Sequence, residues 1–166
     1  MKKHSFIALL IAVVIILLDQ WTKSLASEQL VYGLPVEIFP VFNLTLMHNT
    51  GAAFSFLADA GGWQRWFFTA VALIISIILV VWLWRLKANE KLMLISLSCI
   101  LGGAIGNLWD RVALGYVVDF ISVHYNDWYF PAFNIADSAI TIGAGLMILD
   151  MLINPDKQTS SEKQQS

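Results

Sequence analysis

The chain has 166 residues, 58% of them hydrophobic and only 13% charged, with a mean hydropathy of +0.69. Soluble domains carry about a quarter charged residues, so most of this surface is built to face lipid. The net charge is −2 without any Lys/Arg cluster, which gives nucleic acid no footing, and the single cysteine, Cys99, allows neither an internal disulfide nor a thiolate metal site.

Met1-Lys-Lys-His opens the chain, followed by an uncharged run from Ser5 to Leu18 and then by Asp19, Trp21 and Lys23. A cleaved secretory signal is one reading, with a small-x-small site at Ser24-Leu25-Ala26. Three more apolar segments follow, however, and Asp19 and Lys23 stand four apart on one helix face, where a signal peptide has no use for an ion pair. A retained first span over about residues 5–25 fits better and meets the roughly 20 residues a bilayer requires.

Residues 27–62 are too mixed to span. Val36-Glu-Ile-Phe and Asn43-Leu-Thr-Leu-Met alternate loosely, as short strands do, and Pro35 and Pro40 punctuate them. His48 to Trp63 carries a turn signal at Asn49-Thr50-Gly51 beside apolar Phe54, Phe56 and Leu57, which predicts a short interfacial helix on the membrane surface. Asn49 reads either as a turn former or as a polar residue lining a site.

A second span covers about residues 66–84, with tryptophans at both ends, and a third covers 92–109 after the basic connection RLKANEK. The third ends in LGGAIGNLWDR, whose Gly102, Gly103 and Gly106 permit close helix approach, and whose Asn107 and Arg111 share a face. Residues 110–134 form a membrane-edge loop on this reading. A fourth span runs over 135–153, ended by Asn154-Pro155, and 154–166 is a polar tail. The expected architecture is therefore an all-α membrane protein in one integral membrane domain, residues 1–153, with four transmembrane helices, a small sheet and a short interfacial helix.

Lys2, Lys3, Arg85, Lys87, Lys91, Lys157 and Lys163 fall on one side of a four-span topology. The positive-inside rule then makes both termini cytoplasmic. Asp19, Lys23, Asn49, Asn107, Arg111, Asp119 and Asp137 consequently collect near the outer face.

Within that cluster Asp119 and Asp137 sit in apolar runs, VVDFI and FNIADSAI, where a carboxylate is costly and by default marks a functional site. No HExxH, G-x-S-x-G elbow or phosphate loop is present, and His4, His48 and His124 are scattered. Two carboxylates brought together share one proton near neutral pH: one can take a proton from water while the other polarises a carbonyl. That is peptide-bond hydrolysis needing neither metal nor cofactor. Taken singly, Asp119 can merely end an apolar stretch and Asp137 can cap a helix, a role for which Asn134 competes. A proton-coupled transporter and a structural subunit remain alternatives, although transporters commonly show repeats and more spans.

The blocks LDQWTK (18–23), HNTGAAFS (48–55), GGAIGNLWDR (102–111), VVDF (117–120) and FNIADSAI (133–140) resemble the bacterial lipoprotein signal peptidases, the type II signal peptidases, in that family's order over nearly the whole chain. The resemblance implies an aspartic protease of the inner membrane with its site at the periplasmic face. It would cleave diacylglyceryl-modified prolipoproteins before the lipidated cysteine, with membrane lipid and the prolipoprotein as partners, no cofactor, and a monomeric state. The resemblance further implies Asp119 and Asp137 as catalytic, and Asp19, Lys23, Asn49, Asn107, Arg111 and Asn134 as supporting residues. It makes residues 36–60 a periplasmic cradle and flexible helix. Asp19 with Lys23 reads as a buried structural pair, each neutralising the other in lipid.

Overall fold

A computed structural model describes residues 3–51 and 63–154, with side chains from residue 5 onward. The interfacial helix expected before Trp63 and the polar tail beyond Asn154 lie outside these residues. Four helices are long and apolar enough to cross a membrane: α1 (Lys3–Gln29), α2 (Trp63–Arg85), α3 (Lys91–Ala113) and α4 (Ile135–Ile153). Between them run β1 (Val36–Phe39), β2 (Phe42–Asn49), β3 (Val117–Tyr125) and β4 (Trp128–Tyr129), which form one antiparallel sheet in the order β1-β2-β3-β4. At 27 residues, α1 is about 40 Å long and exceeds the roughly 30 Å hydrocarbon core.

The helices are turned inside out relative to a soluble bundle. Phe6, Leu17, Ile74, Ile77 and Ile142 project outward, and α2 carries exposed Trp63, Trp66 and Trp84 near its two ends, where indoles suit the lipid–water boundary. The inward faces of α1, α2 and α3 bury Ala8, Ala12, Leu79, Leu83, Leu97 and Leu101. Helix α3 is the hub: α1, α2 and α4 all pack on it, whereas α2 and α4 make little or no contact with each other.

Small residues set the α3–α4 distance. A Cβ on Gly103 would strike the carbonyl oxygen of Ala136 and come within 2.8 Å of Ile140, so the two backbones touch here only because position 103 has no side chain. One turn on, a Cβ at Gly106 would lie 2.5 Å from the Asp19 carboxylate. Without a hydrophobic driving force between helices in lipid, such backbone approach supplies much of the packing.

Two differences from the sequence expectation bear on the site. Helix α3 continues a turn past Trp109, which makes Asp110 and Arg111 helical. It stops where Gly115 takes a left-handed φ of 91°. Arg65 of α2 donates from Nε to Arg111 O and from Nη2 to Val112 O, both at 2.8 Å, and so satisfies carbonyls that the helix end leaves open. The stretch after Tyr116, expected as loop, is the nine-residue strand β3, whose first four residues are buried. It pairs with β2 through Asn49↔Val117, Met47↔Asp119 and Phe42↔Val123.

Gly103→Ala is expected to push α3 and α4 apart and destabilise the protein by about 1–3 kcal/mol, the usual range for overpacking. Thermal unfolding of the solubilised protein reads this as a lowered midpoint, and an unchanged midpoint would show that the Ala136 backbone yields freely.

Candidate active site

The five elements that carry the predicted polar residues meet, together with one end of α2, at one pole of the bundle. Helices α1 and α3 bring their C-terminal turns there, α2 and α4 their N-terminal turns, and β2 and β3 lie across it. Asp119 is the third residue of β3 and is 2% exposed. Asp137 stands in the first turn of α4. The cap of that helix is Asn134, which is fully buried and whose Oδ1 accepts the Asp137 backbone N–H at 2.8 Å. Capping therefore occupies Asn134 and leaves the Asp137 carboxylate free of that duty.

Three neutral amides surround the two carboxylates. Asn134 Nδ2 donates to Asp119 Oδ1 at 2.8 Å, and Asn49 Nδ2 donates to Asp119 Oδ2 at 3.1 Å. Asn49 reaches Asp119 because it pairs with Val117, two residues away on the same face of the sheet. Asn107 Nδ2 donates to Asp137 Oδ1 at 2.7 Å, and Asn134 Nδ2 also lies 3.2 Å from Asn107 Oδ1. Asn107 and Asn134 thus join the two carboxylates in one hydrogen-bond network that crosses α3, β3 and α4.

Burial in apolar surroundings, followed by the nearby negative charge of Asp137, pushes the Asp119 carboxyl up to about 7. Asn49, Lys23 and Asn134 act in the opposite sense and do not overcome it.

Behind the amides lies a buried charge cluster. Lys23 is 3% exposed; its Nζ is 2.8 Å from Asp19 Oδ2, 2.9 Å from Asp110 Oδ2, and donates to Asn107 Oδ1 at 2.9 Å. Asp19 Oδ1 accepts the Ala136 N–H at 2.8 Å, which places a carboxylate at the positive end of α4. Gln20 Nε2 donates to Asp110 Oδ1 at 2.8 Å. Arg111 lies on the same face of α3: Nη1 donates to Asn107 O at 3.2 Å, the guanidinium sits 5.6 Å over the Phe68 ring, and the buried Nε has no acceptor among the described residues.

All eight predicted residues therefore fall within one polar region. Asp110 and Gln20 join them, and sequence reasoning missed both. A signal for Asp110 was present: it follows Asn107 by three residues and shares its helical face. Beside the site, a cavity of about 550 Å³ runs from Asp137 past Ser138, Thr141 and Ile142 of α4 to Phe130 and Phe133. Ser138 and Thr141 donate their hydroxyls back to Asn134 O and Asp137 O, so the walls of this groove are effectively apolar.

Known proteins carry the same plan. The family model described as "Signal peptidase (SPase) II" matches residues 11–153. The chain is 56% identical over 147 residues to a lipoprotein signal peptidase of Acinetobacter baumannii, covering 89% of this chain and 84% of that one. Against the lipoprotein signal peptidase of Cellvibrio japonicus the identity is 54% over 154 residues, 93% of this chain and 90% of the relative. A solved bacterial membrane enzyme superposes with a TM-score of 0.79 at 36% identity, over 90% of each chain. The fold, the span of the match and the level of identity agree: this multi-pass membrane protein belongs to the signal peptidase II family.

Proposed function

We propose that the chain is an aspartic endopeptidase that removes the signal peptide from diacylglyceryl-modified prolipoproteins, hydrolysing the bond before the lipidated cysteine. The observation that carries this reading is the linkage of Asp119 and Asp137 through amides that only donate to them, at the pole where one end of each helix arrives. Neutral amides hold carboxylates in place without adding a charge that would force both to ionise.

The raised Asp119 carboxyl assigns the shared proton. On this reading Asp119, whose carboxyl is pushed up to about 7, serves as the acid, and Asp137 is left the role of base. Asp137 takes a proton from water as the water oxygen bonds to the scissile carbonyl carbon, and the Asp119 proton passes to the carbonyl oxygen to give a tetrahedral diol. Collapse of the diol breaks the C–N bond: Asp137 delivers its proton to the leaving nitrogen, and a diol proton returns to Asp119. The dyad ends as it began. Arg111, with Nε–H unclaimed among the described residues, is suited to a substrate carbonyl.

The approach is lateral. Helices α2 and α4 stand apart on either side of α3, and the groove beside Asp137 has apolar walls. A signal helix bearing acyl chains fits such an opening, because it never has to leave lipid. The distribution of Lys and Arg supports an inner-membrane enzyme with both termini cytoplasmic and the site at the periplasmic face.

Purified protein should cleave a diacylglyceryl-modified prolipoprotein, with chelator having no effect. Asp119→Asn and Asp137→Asn should each lose activity by about a hundredfold to ten-thousandfold, the usual worth of a general acid or base. Survival of full activity in either variant would exclude the dyad. Cleavage should also decline as pH rises above about 7 and Asp119 gives up its proton.

The same carboxyl makes stability depend on pH. Folded Asp119 holds its proton more tightly than the unfolded chain, whose ordinary value is 3.8. Its contribution is therefore fully present below 3.8 and is lost as pH rises through about 7. The thermal midpoint of the wild type should fall between pH 4 and pH 8, and Asp119→Asn should flatten that fall; equal slopes would show that Asp119 is not the titrating group.

A further inference from the structure

An amide can be turned end for end at little steric cost, and only its surroundings decide which end faces a carboxylate. Around the dyad, each amide oxygen accepts from a group that has protons to give and no lone pair. Asn49 Oδ1 takes the Gly51 backbone N–H at 2.9 Å, and Asn134 Oδ1 takes that of Asp137 at 2.8 Å. Both locks are local backbone, two or three residues away. Asn107 differs. The shortest bond to its Oδ1, at 2.9 Å, comes from Lys23 on another helix. The only other donor among the described residues is Asn134 Nδ2 at 3.2 Å, which also serves Asp119 at 2.8 Å and Val118 O at 3.2 Å.

An ammonium carries three protons, and Lys23 has three acceptors: Asp19 Oδ2, Asp110 Oδ2 and Asn107 Oδ1. The two carboxylates fix the nitrogen, and the remaining proton points at the amide. Asp110 has a second hold: its Oδ2 accepts the backbone N–H of Val118 at 3.1 Å, one residue before Asp119. The cluster thus reaches Asp137 through Asn107 and Asp119 through β3.

We propose that Lys23 is a positioning residue for the cleavage reaction: held by Asp110 and Asp19, it keeps Asn107 turned so that the amide N–H, and not the amide oxygen, faces Asp137. This rests on the proposed function of the dyad and goes beyond a buried ion pair that only stabilises the fold. Turned the other way, Asn107 would set an oxygen against the Asp137 carboxylate at 2.7 Å.

The test is a double-mutant cycle on the full chain in detergent, with kcat and KM read on a diacylglyceryl-modified prolipoprotein peptide. Lys23→Met and Asn107→Ala should each lower kcat by about tenfold or more and leave KM within about twofold, because a transition-state interaction is lost. In the Asn107→Ala background, Lys23→Met should cost less than about twofold further, since groups that act as a unit are not additive. Losses that multiply would overturn the proposal, as would Lys23→Met protein with wild-type kcat per folded molecule.

Lys23→Met leaves two buried carboxylates without their cation. Should it not fold, Lys23→Met combined with Asp110→Asn takes its place in the cycle, with Asp110→Asn alone as the reference, so that the Val118 contact cancels. Wild-type cleavage abolished by Asp137→Asn keeps the dyad reading intact whichever way the cycle falls. A wild type that cleaves nothing removes that reading and this inference together.

Discussion

A lysine ammonium deep in an apolar bundle cannot stand alone, and the polar end of this molecule is arranged around satisfying the one on Lys23. Removing one partner from a buried pair commonly costs 3–5 kcal/mol, roughly, because the other charge is left uncompensated. Here the partners lie on different elements. Asp19 shares α1 with Lys23 and reaches the first turn of α4 through Ala136, while Asp110 and Asn107 belong to α3. One cation therefore ties three helices together. Space for the cluster comes from Gly106, where a side chain would meet the Asp19 carboxylate.

Two kinds of environment follow, a few ångströms apart. Around Lys23 the charged groups meet directly, at 2.8 Å from Asp19 and 2.9 Å from Asp110. Around Asp119 and Asp137 the contacts are neutral amides, with the cation kept one residue back. On the proposed mechanism, a lysine in direct contact with both carboxylates would favour both as anions and leave no acid. The intervening asparagine transmits hydrogen-bond geometry without transmitting a full charge.

The membrane character and the four spans were legible because composition and run length are what lipid selects, and neither depends on contacts. Asp119 and Asp137 were legible because carboxylates in apolar runs are rare without purpose. Strand β3 was not, since VVDFISVHY is buried at its start and so lacks the clean alternation of a half-exposed strand. Asp110 was passed over although it stands on the helical face that carries Asn107 and Arg111; its partners Lys23 and Gln20 belong to another helix and are about 90 residues away in sequence. Family resemblance supplied a residue set without supplying who touches whom. The contact between Lys23 and Asn107 joins positions 84 apart in sequence, and no local pattern encodes it.

The separation of α2 from α4 has a consequence for turnover. On the proposed function, one opening onto α3 that serves both arrival and departure would make the severed signal helix retreat by the route the next prolipoprotein must take, with both confined to the plane of the bilayer. Spent helices would not dilute into water; they would accumulate at a surface density and contend for the same doorway.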